Sequence, residues 1–90
     1  MTTAEKNIAI QEIKDIQDQI EQFEAEWVKA DKNGDSKAVE RADRRIELLL
    51  SMRHGMEMML TALKVEFDRK EDVHIDRDGK ETYHTRWFLI

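Results

Sequence analysis

The chain has no cysteine, no proline and only three glycines among its 90 residues. Without cysteine there is neither a disulfide nor a thiolate metal site. Without proline, no residue breaks a helix from within. Few glycines leave few points where the backbone can turn sharply. Aromatic residues are scarce as well, at 7%. A chain this short buries a small core and is marginal alone. With disulfides excluded, the remaining remedies are self-association or an oxygen-ligated metal. Long apolar runs are also missing. The longest are Leu48-Leu49-Leu50 and Trp87-Phe88-Leu89-Ile90, whereas a membrane-spanning helix needs roughly 20 apolar residues. The opening MTTAEKNIAI lacks the basic segment and apolar run of a secretory signal. The expected location is therefore cytoplasmic, in the host cytoplasm if the protein is viral, with no membrane partner.

What the chain does have is charge, 39% of residues with a net value of −5. Residues 1–31 hold eight acids and three bases, residues 32–69 seven and eight, and residues 70–90 five and four. The first third carries the acidity, so direct binding to a nucleic-acid phosphate backbone is not expected.

Apolar spacing sets the architecture. Ala9, Ile13, Ile16, Ile20, Phe23, Trp27 and Ala30 recur in steps of 4 and 3, the seam of a helix packed against a helix, as in a coiled coil. The pattern predicts a helix over about 4–31. Asn33-Gly34 breaks it, since both residues tolerate the left-handed backbone that ends helices. Asp35 or Ser36 can cap a second helix over about 36–69, with Ala42, Ile46, Leu49, Arg53, Met56, Leu60, Leu63 and Phe67 along its seam. So short a turn forces an antiparallel helical hairpin.

The second helix has more apolar surface than one partner covers. Leu48, Met52, Gly55, Met59 and Ala62 form a stripe beside the seam, and this is the expected oligomer interface. Beyond residue 69 the period changes to alternation, with Asp78-Gly79 between two β-prone runs. This predicts a β-hairpin with strands at about 72–77 and 80–88. The expected fold is α+β, mostly α, in one domain: a helical hairpin over 1–69 and a β-hairpin tail over 70–90. Such a tail is marginal alone and must cover apolar surface, with Trp87 at least half buried.

Residues 23–35 resemble part of an EF-hand. Phe23, Trp27 and Asp31 are spaced like its entering helix, and Asp31, Asn33 and Asp35 fall on loop positions 1, 3 and 5. The resemblance implies a weak calcium site. It ends there, because Ser36 replaces the turn glycine and Ala42 the bidentate glutamate. The other reading is a helical turn of similar composition. No family is recognised across the whole chain.

Candidate functional residues are sparse. There is no nucleophile–base pairing and no glycine-rich phosphate loop, so no catalytic, cofactor or metal residue is assigned and an enzyme is not expected. His74 and His84 share a face of the hairpin only if a three-residue loop with a glycine bulge joins the strands; a two-residue turn separates them. Arg53 interrupts the second seam opposite Ile13–Ile16, near Glu12 and Gln17, where a polar residue can set register. The expected function is a small homo-oligomeric protein that binds another protein. Asp15, Asp18, Glu21 and Glu26 on the acidic helix, with Trp87 and Phe88 in the tail, are the candidate contacts. Two alternatives stand beside it. One is an acidic phage-type inhibitor of host nucleic-acid or defence machinery. The other is an oligomer that captures a small anion such as a nucleotide through Arg41, Arg44, Arg45, Arg53 or His54.

Overall fold

A computed structural model describes residues 1–75, 77–79 and 81–90, leaving aside the side chains of Thr82 and Tyr83. Helix α1 spans Thr3–Lys32 and helix α2 spans Ser36–Ala62, followed by strands β1, Phe67–Ile75, and β2, Glu81–Leu89. The two helices lie antiparallel, and the strands form an antiparallel pair.

Local chemistry starts α1. Thr2 Oγ1 accepts from the Glu5 N–H at 3.2 Å, and Glu5 Oε1 accepts from the Thr2 N–H at 3.3 Å. This reciprocal capping box satisfies two donors that a helix start leaves open. At the other end Gly34 adopts φ +68°. Its N–H reaches the Asp31 carbonyl at 3.1 Å, and the Asp35 N–H reaches the Ala30 carbonyl at 3.0 Å. This is the Schellman pattern, with glycine where the left-handed backbone needs it. Asp35 then caps α2, its carboxylate accepting from the Ala38 N–H at 3.1 Å.

The EF-hand-like stretch is therefore built as a turn. Asp31 belongs to the last turn of α1 and Asp35 is spent on the cap. Among the described residues, no three His, Asp or Glu side chains are grouped to suit a metal ion.

Helix α2 ends at Ala62, seven residues before the expected end at 69. The stop is a second Schellman motif. The Lys64 N–H bonds to the Thr61 carbonyl at 3.0 Å and the Val65 N–H to the Leu60 carbonyl at 2.9 Å. Lys64 takes the left-handed position at φ +58°, a place usually held by glycine. Packing supplies what glycine does not. Val65 and Leu60, the residues this motif brings together, lie in one buried cluster. Leu63, expected in the seam, is exposed at the end of the helix, and Phe67 opens β1. Strand β1 starts at Phe67, five residues before the expected start at 72, and β2 ends at Leu89, one residue past the expected end at 88. The expected strand residues Asp76 and Lys80 lie outside the described residues.

Two clusters make the core. One holds Ile16, Ile20 and Leu49 along the helix–helix seam, with Phe23 and Met56 against them. The other joins Ile10 and Ile13 of α1, Leu60 of α2, Val65 and Trp87 of β2. Ile10 lies off the expected seam. It is buried because the hairpin covers a second flank of α1, with β2 against that helix and β1 outside.

Candidate interaction surface

A short polar chain fastens the hairpin to the helices. Gln17 is buried and its Oε1 accepts from Arg53 Nη1 at 2.7 Å. The Arg53 guanidinium lies 5.6 Å from the centroid of the Trp87 ring, within range of a cation–π contact. Trp87 Nε1 donates to Glu57 Oε1 at 2.8 Å, and Arg69 Nη1 reaches the same oxygen at 3.4 Å. All four elements contribute, so this chain sets the position of the sheet on the helical pair.

Trp87 is buried, as the tail's need to cover apolar surface predicts, and this corrects its assignment as a partner contact. As a candidate anchor for a partner it would have to be exposed, yet it is wholly buried. The physical reason is strand alternation: Thr85, Trp87 and Leu89 point to the helices, and Phe88 points to solvent. Arg53, a candidate anion ligand, is engaged by Gln17 and the indole. Gln17 was among its expected neighbours; the indole beneath it was not foreseen, because contact with a residue 34 positions away has no local signature.

The remaining basic candidates are exposed. Arg41 and Arg45 line a shallow depression with Phe23, Glu26, Ala38 and Ala42 at the turn end of the helices. Arg44 and His54 stand in solvent. Of the acidic candidates, Asp15, Asp18 and Glu26 are exposed, and Asp15 accepts from Gln11 at 3.0 Å. Glu21 is half-buried and holds His84, whose Nδ1 lies 2.9 Å from Glu21 Oε1. Beside it Glu24 has its pKa raised above the usual carboxylate value, first by desolvation and then by the charge of Glu21, with Arg53 opposing.

The strand register settles the histidine question. Ile75 faces Glu81, and Asp72 faces His84. Gly79 has φ +77°. This register puts His74 and His84 on one face; the Asp76 and Lys80 pairing that distinguishes the two loops lies outside the described residues. Toward the tip of the hairpin, beyond the His84–Glu21 contact, Val73 and Ile75 are uncovered on the side that buries Trp87. The outer edge of β1 has no strand partner among the described residues.

An uncovered apolar stripe runs along α2. Leu48, Met52 and Met59 are about half exposed, at 55%, 47% and 56%, and Gly55 and Ala62 are open between them. Nothing lies within 4 Å of where a Cβ on Gly55 would stand. At its C-terminal end the stripe runs into an apolar groove between the helices. Met1, Ile8, Met59 and Leu63 line that groove, and Glu5 and Glu12 rim it. Among the described residues no helix is long and apolar enough to cross a membrane. Comparisons with protein-family models, curated proteins and solved structures find no match.

Proposed function

We propose that this protein is a non-enzymatic homo-oligomer that acts by binding another protein. The observation that carries the reading is the continuous apolar face of α2 and its groove. Soluble monomers rarely leave contiguous apolar patches larger than a few hundred Å², and larger ones mark interaction sites. Six half-exposed Leu, Ile and Met side chains here expose area on the order of several hundred Å², comparable with the roughly 800 Å² per partner of a standard interface. The seam is already filled by α1, so intramolecular packing does not use this face. The second protein meets the acidic outer side of α1 and the protruding part of the β-hairpin. Val73, Ile75 and Phe88 offer apolar contacts there, and β1 offers an open edge.

Light scattering at micromolar concentration tests the self-association. The expected mass is that of two or more chains, and Met52→Glu shifts it to one chain or unfolds the protein, because the new charge would be buried unpaired. A monomeric wild type overturns the proposal.

A further inference from the structure

We infer that two copies associate through α2 in antiparallel orientation, about a two-fold axis passing beside Gly55. This rests on the self-association proposed above and adds its geometry. The face that carries the stripe continues toward the N-terminus of α2. Lys37, Arg41, Arg44, Leu48, Met52, Gly55, Met59 and Ala62 follow one another in steps of 3 and 4, so they line one side of the helix. That side is basic in its first half and apolar in its second.

A parallel pair would lay Arg41 and Arg44 of one copy against the same residues of the other, and like charges repel. An antiparallel pair removes the clash. With Gly55 on the axis, Leu48 of one copy meets Ala62 of the other, because both lie seven residues from the centre. Glycine at the crossing lets the two backbones approach, and the space over it is open.

The groove supplies the charge complement. Within one chain, residues at the same height on α1 and α2 have numbers that sum to about 70: Gln17 bonds Arg53, Ile20 shares a cluster with Leu49, and Ile10 with Leu60. Across the proposed axis the numbers sum to 110. Glu5 of one copy therefore stands level with Arg45 of the second copy, and Ile8 level with its Leu48. Ile8 and Glu5 line the groove beside the stripe, and Arg45 projects from the same flank of α2 as Leu63. An apolar residue meets an apolar one, and an acid meets a base. A two-fold axis repeats both matches, and a closed, isologous pair results.

The cysteine-free sequence makes the test direct. Gly55→Cys, Leu48→Cys and Ala62→Cys are oxidised separately and in mixtures, and covalent dimers are counted by non-reducing electrophoresis. Helices crossing at 8–10 Å between axes place facing Cα atoms within disulfide range. The expected result is a covalent dimer from Gly55→Cys alone. Leu48→Cys alone gives little, and Leu48→Cys mixed with Ala62→Cys gives a heterodimer at least fivefold more abundant. The mixture keeps the test valid if a side chain at Gly55 spoils the crossing. Self-linking of Leu48→Cys above the mixture means a parallel pair and overturns the inference. So does a chain that scatters as a dimer yet links at none of these positions. A monomeric wild type removes the self-association itself, a separate failure read from the mass alone.

Discussion

The indole N–H of Trp87 donates to the Glu57 carboxylate at 2.8 Å, and it joins the last strand to the second helix beside a cluster of buried apolar side chains. Burying an indole without an acceptor leaves an unpaired donor, which costs about 1–3 kcal/mol. The acceptor is itself steadied by Arg69. Trp87→Ala is expected to lose about 3–5 kcal/mol through lost burial and the cavity left behind. Glu57→Leu is expected to lose less, about 1–3 kcal/mol, by stranding the donor. Urea denaturation measures both. In a Trp27→Phe background, emission from Trp87 alone should be blue-shifted, and deletion of residues 87–90 should lower the melting temperature.

Trp27 is the contrasting case. Its Nε1 is shut from solvent with no hydrogen-bond acceptor among the described residues. Trp27→Phe removes an unpaired donor and keeps most of the apolar surface. The expected stability change is between zero and a gain of about 1 kcal/mol, against a clear loss for Trp87→Phe, which gives up a satisfied bond. Parallel denaturation curves of the two variants check the difference in sign.

The two helix ends predict opposite responses to glycine chemistry. Lys64 holds a left-handed backbone at φ +58°, which costs an L-residue roughly 1–2 kcal/mol relative to glycine. Lys64→Gly should raise the melting temperature by several degrees, less the entropy that glycine adds to the unfolded chain. Gly34→Ala at φ +68° should lower it by a similar amount. Thermal melts followed by circular dichroism decide this.

Two carboxylates give pH dependences of opposite sign. The pKa of Glu24 is raised above its ordinary 4.5, chiefly by desolvation. Its protonated form is favoured in the folded chain, so its stabilising contribution is present at low pH and is lost as pH rises through the raised value. Glu24→Gln should therefore stabilise at pH 7, and the gain should shrink as pH falls through the raised value toward 4.5. The pKa of Glu5 is lowered by its hydrogen bonds to the backbone and side chain of Thr2. Its contribution is present above 4.5 and is lost as pH falls through the lowered value. Thr2→Ala should remove that acid-sensitive part. Denaturation of each variant from pH 3 to 7 reads the two signs, with the range chosen to bracket both groups.

The sequence by itself determined the elements whose causes are local. Steps of 3 and 4 made the helices, Asn33-Gly34-Asp35 made their turn and cap, and alternation around Asp78-Gly79 made the hairpin. These signals act within a few residues, where backbone preference and side-chain period decide. Tertiary structure alone decided the rest. Helix α2 ends at Ala62, with Lys64 in the left-handed position beyond it, because Val65 folds onto Leu60, a packing gain that outweighs the strain of a non-glycine residue there. Ile10 is buried, and Trp87 faces inward, because the sheet lands on a second flank of α1. Arg53 lies over an indole 34 residues away. Long-range contacts of this kind leave no periodic trace, since their energy depends on which surfaces meet and not on the order of residues along either one.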